Sequence, residues 1–266
     1  MKLPALFIGH GSPMNAITPT VYSQNWAKIG HKLRVQYAGQ IRAILMISAH
    51  WCTRGTAVTA MSQPRTIHDF YGFPQELFEI QYPVPGNLQI AEQIARQTGA
   101  ALNTDWGLDH GSWSILKHMF PDADIPVLQL SLDVNANSQA HYQLGKQLAA
   151  LRENGILLIG SGDIVHNLRA MDWHAPDSTK HPHPWAKAAQ EWTNQLLTEK
   201  HFEEFANSDR YPPEISLAAP TPEHFWPLLY ILGAADQSDS VSIFNDDIVG
   251  KSLSMTSIII GNNTLI

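Results

Sequence analysis

Two histidines that each follow an apolar run are the residues of this chain best placed to do chemistry. His10 stands between two glycines at the end of the run 3–9, and His50 ends the run 41–49. An imidazole binds a metal ion through a ring nitrogen, or transfers a proton near neutral pH. Small neighbouring residues let a ligand come close to the backbone. The two positions therefore predict a metal or acid–base site if the fold brings them together.

The apolar runs before these histidines predict buried β-strands. Parallel strands of an α/β sheet present their carboxyl ends along one edge, where ligands bind. A third run, residues 155–162, precedes Asp163 and His166. We predict that Asp163 is the N-cap of a helix. His166 would then lie in the first turn of that helix, as a fourth metal ligand or a general acid–base group. We expect His10, His50 and His166 to meet at this edge.

A further histidine, His224, is predicted as the third metal ligand. Thr221 and Pro222 precede it in the chain. They are predicted to be the N-cap and the first position of a helix that continues over residues 225–234. The positive end of the helix dipole would keep the ring neutral, as metal binding requires. Glu223 competes for the same role, because adjacent helical side chains point about 100° apart and one of the two should face inward.

Three other side chains are weaker predictions for the substrate site. His110 is predicted to take part in catalysis or to form a hydrogen bond with a substrate, and His68 to form such a bond. Trp51 could line a flat pocket, although aromatic side chains more often pack. The other histidines are expected on the surface or in structural roles: His31, His118, His141, His174, His181, His183 and His201.

Strand and helix patterns alternate along the 266 residues, and the hydrophobic fraction of 44% is enough for a substantial core. This alternation predicts an α/β fold, with one layered domain over 1–266 and a central, mostly parallel or mixed sheet flanked by helices. The predicted helices include residues 20–33, 87–97, 114–119 and 138–152.

The charge pattern excludes several classes of partner. The net charge is -7, and no run of Lys or Arg predicts binding to nucleic acid or to a membrane surface. No signal peptide or membrane span is predicted, so we expect a cytoplasmic protein. The chain has a single cysteine, so a metal would be held by histidines and carboxylates.

Six short motifs in chain order carry a resemblance to a known family. In sequence letters they are GHGSP (9–13), SAHW (48–51), TIHDF (66–70), DHGSW (109–113), VHNL (165–168) and TPEH (221–224). Together they resemble the class III extradiol ring-cleavage dioxygenases of the LigB type. More narrowly, they resemble the 4,5-DOPA dioxygenase branch of bacteria and plants.

The resemblance implies a single-domain α/β fold, a non-haem Fe(II) site and O2-dependent cleavage of a catechol next to its two hydroxyls. It implies that His10 and His50 are metal ligands and that His166 is the acid–base histidine. Enzymes of this class typically complete the metal site with Glu, whereas the DOPA branch has a His that matches His224. Neutral imidazoles suit Zn(II) as well as Fe(II). The implied cofactor is therefore one ion per chain, with Fe(II) for activity and Zn(II) as an alternative occupant.

Two other functions stay open from the sequence. A zinc-dependent hydrolase would use the same imidazoles to activate water. A binding protein of the Memo kind resembles these dioxygenases without cleaving a ring, although the presence of His166 beside the ligand set argues against it. The expected partners are a small-molecule catechol and O2, and the oligomeric state is left open.

Overall fold

Strands and helices alternate along the chain. The computed structural model describes residues 1–261 and residue 265. The strands are β1 (Ala5–Gly9), β2 (Ala43–Thr53), β3 (Ala57–Thr59), β4 (Ala101–Asn103), β5 (Val127–Asp133), β6 (Ile156–Gly162), β7 (Ser240–Phe244), β8 (Ile248–Val249), β9 (Leu253–Ser254) and β10 (Ser257–Gly261). The α-helices are α1 (Val21–Gln36), α2 (Gln75–Phe78), α3 (Leu88–Thr98), α4 (His110–Met119), α5 (Ser138–Leu148), α6 (Pro184–Thr198), α7 (Pro213–Ala218) and α8 (Trp226–Gly233).

Eight of these strands form one sheet in the order β4-β3-β5-β2-β6-β1-β10-β7. The four central strands β5, β2, β6 and β1 run parallel to one another. The strands β10 and β7 extend one side of the sheet in antiparallel pairing, and β3 pairs antiparallel with β5 on the other side. The strands β8 and β9 form a separate short hairpin. This arrangement confirms the predicted single α/β domain with a mixed central sheet flanked by helices.

Apolar side chains cover both faces of the sheet. In β1, Phe7 belongs to one buried cluster, whereas Leu6 and Ile8 belong to another, because successive side chains of a strand point to opposite faces. Residues of α5 and α8 lie in the first cluster, and those of α1 and α4 lie in the second. A strand that is buried on both faces reads as an unbroken apolar run, which explains why the central strands are visible in the sequence.

The structure differs from the sequence prediction at some element boundaries. The short edge strands β4 and β7 have no counterpart in the prediction. Helix α4 begins at His110 rather than at residue 114, because the Asp109 carboxylate accepts a hydrogen bond from the Ser112 N–H at 3.2 Å and caps the helix earlier. Among the described residues, no helix has both the length and the apolar character that crossing a membrane requires.

Candidate metal centre

Three neighbouring parallel strands deliver polar side chains to one edge of the sheet. The strands β2, β6 and β1 lie side by side; His50 belongs to the last part of β2, Asp163 follows β6, and His10 follows β1. The His10 N–H donates to the Gly162 carbonyl at 3.2 Å, which continues the pairing of β1 with β6. The structure thereby brings the Nε2 atoms of His10 and His50 to 3.1 Å from each other.

His224 reaches the same edge from a turn of 3-10 helix, Pro222–His224, that lies against β6. Glycine is required at the contact, because a Cβ on Gly162 would lie 2.1 Å from the His224 carbonyl oxygen. The Asp163 N–H donates to this same carbonyl at 2.9 Å. The His224 ring lies 5.0 Å from the His50 ring, between ring centroids. The structure therefore places His224 beside the two histidines delivered by strands.

The turn is not the α-helix start that the sequence predicts. Helix α8 begins only at Trp226, and the Thr221 hydroxyl donates to Oε1 of Glu223 at 2.7 Å instead of capping the helix. The helix dipole is therefore not what keeps His224 neutral. Burial is the main cause that lowers the pKa of His224, and the adjacent Glu223 opposes it.

The hydrogen bonds of His10 fix which of its ring nitrogens carries the proton. Its Nδ1 lies 2.9 Å from Oγ of Ser161, and that hydroxyl donates its own proton to the Gly111 carbonyl at 2.5 Å. Ser161 must then accept from His10, so Nδ1 of His10 is the donor. The Nε2 atom of His10 is left with a bare lone pair.

Carboxylates set the same proton position in the other two rings. Nδ1 of His50 lies 3.4 Å from Oδ2 of Asp69, and Nδ1 of His224 lies 3.4 Å from Oε1 of Glu223. Although burial alone would raise the pKa of Glu223, hydrogen bonds from His224 and Thr221 lower it to about 2. An ionised carboxylate only accepts hydrogen bonds, so Nδ1 of His224 carries its ring proton and its Nε2 is an acceptor. The Asp69 carboxylate beside Nδ1 of His50 favours the same arrangement in that ring.

The Nε2 atoms of the three rings therefore converge, and with the proton on each Nδ1 all three are acceptors. The ligand atoms of His10, His50 and His224 all lie within 4.8 Å of one another, and Nε2 of His224 is buried with no hydrogen-bond partner among the described residues. Burial, and secondarily the neighbouring imidazoles, lowers the pKa of both His10 and His50, so both rings are neutral at neutral pH. Ligands about 2.1 Å from one metal ion lie about 3.0–3.4 Å apart, and the set fits a divalent cation.

Asp69 links this cluster to His110, the first residue of α4. Its Oδ2 accepts the Nδ1–H of His110 at 2.9 Å, and its Oδ1 accepts the His110 N–H at 2.8 Å. Burial alone would raise the pKa of Asp69, but the hydrogen bonds from His110 hold it below its usual value. The His110 ring lies 3.9 Å from that of His50, between centroids. The predicted His110 is therefore at the site, held by a carboxylate.

Asp69 and Ser161 orient the imidazoles, and the sequence analysis assigned no role to either. Asp69 follows His68 directly in one of the motifs, which is the only signal that could have identified it. Ser161 lies inside an apolar run and carries no such signal.

His166 is near the cluster, but not for the predicted reason. No helix begins at Asp163, because its Oδ1 accepts the N–H of Gly11 at 3.0 Å across the sheet edge. His166 instead forms an isolated bridge with Leu253, and its N–H donates to the Ala218 carbonyl at 2.7 Å. Long-range pairing, which no local pattern encodes, thus positions this histidine.

The ring of His166 stacks on the ring of His224. The two centroids are 3.5 Å apart and the rings are almost parallel, with an interplanar angle of 4°. Burial, followed by the neighbouring His224, lowers the pKa of His166 to about 3. His166 is therefore a neutral imidazole at the border of the cluster.

His68 and Trp51 lie outside the cluster of acceptors. Nε2 of His68 donates to the Ile80 carbonyl at 3.0 Å, and its ring packs edge-on against Phe70. Trp51 is 3% exposed and stacks on Trp106 with centroids 5.7 Å apart. Both side chains are held by packing.

A mixed α/β sheet with convergent imidazoles at the carboxyl ends of its parallel strands indicates a candidate metal site. The family described as "Catalytic LigB subunit of aromatic ring-opening dioxygenase" matches residues 4–259. A protein of Escherichia coli (strain K12) named 4,5-DOPA dioxygenase extradiol is 44% identical over 266 residues, which cover 98% of this chain and 95% of that protein. A protein of Beta vulgaris with the same name is 37% identical over 246 residues, or 90% of each chain.

A solved structure shows the same fold. The crystal structure of an uncharacterized protein from Escherichia coli K12 is similar with a TM-score of 0.81 and 40% identity, over 98% of this chain and all of that one (100%). This chain belongs to the LigB family of aromatic ring-opening dioxygenases. The family match and the relatives confirm the predicted class of enzyme, an extradiol dioxygenase. The family implies a non-haem metal, a small-molecule substrate and O2, and the histidine cluster has the chemistry to bind such a metal.

Proposed function

We propose that this chain is an Fe(II)-dependent dioxygenase that opens the ring of a DOPA-like catechol at the 4,5 position. The observation that carries the proposal is the convergence of three Nε2 atoms at the sheet edge, those of His10, His50 and His224. The relatives named 4,5-DOPA dioxygenase extradiol support the choice of substrate.

In this proposal His10, His50 and His224 hold one metal ion. Their Nδ1 atoms face a hydroxyl and two carboxylates, which orient the rings before the metal binds. When bound, Fe(II) supplies a chelating site for both catechol oxygens and the electron transfer between ring and dioxygen that side chains cannot perform. Because neutral imidazoles also suit Zn(II), we expect zinc to occupy the site without supporting ring cleavage.

We assign His166 to acid–base chemistry rather than to the ligand set. A ring nitrogen binds a metal ion in the plane of its ring, and the rings of His166 and His224 lie in parallel planes with centroids 3.5 Å apart. Two rings stacked in this way would not both direct an in-plane lone pair to one shared point. A neutral imidazole in this position can accept the proton of a catechol hydroxyl and return it later in the reaction.

His110 is proposed to contact the substrate from the other side. Because its Nδ1 donates to Asp69, its Nε2 is an acceptor for a catechol hydroxyl, in the arrangement of a base oriented by a third group. The Phe70 ring lies 5.6 Å from His110 and 5.8 Å from His68, so His68 supports the wall of the substrate site through packing. The placement of Trp51 against Trp106 gives it a packing role in the same proposal.

Oxygen uptake tests the proposal. The full chain is stripped of metal, loaded with Fe(II) without air, and mixed with DOPA, catechol or resorcinol, whose two hydroxyls are not adjacent. We expect equimolar consumption of O2 and of the ortho-diols, incorporation of both atoms of isotopically labelled dioxygen into the product, and no reaction with resorcinol. The His50→Ala variant and the Zn(II)-loaded protein are the controls.

Two results would favour the alternatives. Ester or amide hydrolysis by the Zn(II)-loaded protein, without O2 uptake under any loading, would indicate a zinc hydrolase. Binding of catechols without turnover, whichever metal is loaded, would indicate a binding protein of the Memo kind.

A further inference from the structure

The carboxylate that caps helix α4, Asp109, lies in a buried network of polar side chains. Asp109, Ser48, Ser112 and Gln129 are all 0% exposed. Oδ1 of Asp109 accepts the Ser48 hydroxyl at 2.7 Å and the Ser112 N–H at 3.2 Å. Its Oδ2 accepts the side-chain amide of Gln129. Three donors thus surround the carboxylate, which is how a protein tolerates such a group in its interior.

Gln129 of strand β5 matches Asp109 atom for atom. Its amide nitrogen donates to the carboxylate, and its Oε1 accepts the Ser112 hydroxyl at 2.9 Å and the Asp109 N–H at 3.4 Å. The orientation of the amide is therefore fixed by acceptors on one side and donors on the other. Neither side chain can be replaced alone by its isostere without setting two donors or two acceptors against each other.

Ser48 ties this network to the strand that carries His50. The Ser48 hydroxyl that donates to Asp109 also accepts the His50 N–H, at 3.2 Å. Strand and helix meet closely here, because a Cβ on Gly111 would lie 2.6 Å from Oγ of Ser48 and 2.9 Å from Cδ2 of His50. The first turn of α4 therefore lies directly against the His50 ring.

His110 belongs to this same turn. It follows Asp109 in the chain, and its ring lies 3.9 Å from the His50 ring, between centroids. Asp69 holds the other side of His110, through its N–H and its Nδ1–H. Because the Asp109 network sets where α4 begins, it also sets the distance between Nε2 of His110 and the metal centre.

We propose that Asp109 is a positioning residue that holds His110 where its Nε2 can accept a substrate hydroxyl, an inference that rests on the proposed function. Asp109 is fully buried and both of its oxygens are occupied, so it acts through the turn and not by contact with the substrate. Burial, followed by the charge of Asp69, raises the pKa of Asp109 to about 6. At pH 8 the carboxylate is therefore ionised and accepts all three hydrogen bonds.

Exchange of the two matched side chains tests the inference. Asp109→Asn alone places a donor against the donating amide of Gln129, and Gln129→Glu alone places two carboxylates together. In the double variant the new amide donates to the new carboxylate, which still accepts from Ser112 and from the N–H of residue 109. At pH 8 we expect each single variant to lower kcat per bound iron by about 100-fold, the effect of a displacement of about 1 Å. The double variant should return to within about 5-fold of wild type.

Binding of 4-nitrocatechol to the Zn(II)-loaded full chain gives a readout without turnover. The visible absorption of this probe changes when its hydroxyls lose their protons. We expect its Kd to rise about 10-fold in Asp109→Asn, because the hydrogen bond to His110 is lost, and to recover in the double variant. A purely structural role would lower the Tm and leave the Kd and kcat of the folded, metal-loaded protein unchanged.

Two further variants complete the design. Asn137→Asp makes the reverse exchange at the exposed N-cap of α5, and it should change neither kcat nor the Kd of the probe. Ser48→Ala keeps the cap of α4 and removes only the link to β2. It should lower kcat per bound iron by about 10-fold, and it decides the question if Asp109→Asn does not fold.

The possible failures are distinct. Wild-type kcat and Kd in Asp109→Asn, or a folded double variant as impaired as the single ones, would overturn the positioning role of Asp109. A wild-type chain that neither consumes O2 with a catechol nor binds the probe, whichever metal is loaded, would refute the proposed function instead.

Discussion

Two regions of the molecule each bury an imidazole with an unpartnered nitrogen. At the sheet edge this nitrogen is Nε2 of His224, and between α5 and α8 it is Nε2 of His141. Nδ1 of His141 lies 2.9 Å from the Tyr230 hydroxyl, and its ring lies 4.4 Å from that of Trp226. Burial lowers the pKa of both histidines. By burial and hydrogen bonding alone, the two regions look alike.

The difference lies in the neighbours of the orphan nitrogen. Around His224, further lone pairs from His10 and His50 point to the same space. His141 belongs to no such group within the described part of the chain, and its ring faces aromatic carbon. An unpartnered imidazole nitrogen is therefore not a metal site by itself. A metal site needs several acceptor nitrogens close together, whose lone pairs repel one another until a cation binds between them.

The largest effect that this comparison predicts is the loss of the metal. His50→Ala should leave the purified, Fe(II)-treated protein without bound iron. Its rate of oxygen uptake with a catechol should fall further than it would on loss of an acid–base residue, which lowers the rate by about 10²–10⁴-fold. His141→Gln should keep wild-type iron content and activity. Iron analysis and oxygen uptake on both variants make the measurement, and metal loss in the His141→Gln protein would contradict the distinction drawn between the regions.

The next effect separates catalysis from metal binding inside the edge region. His166→Ala should lower kcat by roughly 10²–10⁴-fold and leave the iron content unchanged, because the stacked ring transfers protons without binding the ion. The pair of measurements on this one variant is decisive. Loss of iron in parallel with activity would place His166 among the ligands, and near-normal turnover would remove it from the mechanism.

The positions of the two histidines on strands could be predicted from the sequence. His10 follows β1 and His50 lies in the last part of β2, strands that are buried on both faces and read as unbroken apolar runs. The parallel order of β2, β6 and β1 brings the two histidines together. The sequence pattern alone thus predicts this sheet edge.

The positions of the site residues that lie in turns could not be predicted from local sequence patterns. His166 is set by its bridge to Leu253, and Asp163 by the N–H of Gly11, contacts between segments far apart in the chain. Local signals suggested a helix at Asp163, and tertiary pairing overrode them. Asp69, which faces two imidazoles at once, lies in a loop whose path no periodicity specifies.

A smaller effect is expected from the carboxylate that joins two rings of the edge region. Asp69→Asn should weaken metal binding by about 10–100-fold, since an amide presents no charge to hold the Nδ1 protons of His50 and His110. Co(II) competition titration measures this change, and kcat at saturating metal measures the part due to His110. Unchanged affinity would show that the His50 ring is held by packing alone.

The smallest effect concerns the region without a site, and it is a dependence of stability on pH. Burial lowers the pKa of His141 from 6.5 to about 4, while Asp133 opposes the shift. Because the folded pKa is depressed, the neutral ring's contribution to stability is complete above about pH 6.5 and is lost as the pH falls towards 4. Wild type should therefore lose about 1–2 kcal/mol more unfolding free energy than His141→Gln between pH 7 and pH 5, in urea titrations of the metal-free proteins. The edge histidines are present in both proteins, so their titration cancels in the difference. Parallel pH profiles for the two proteins would mean that His141 is not held neutral by burial. The two regions would then not share a buried neutral imidazole.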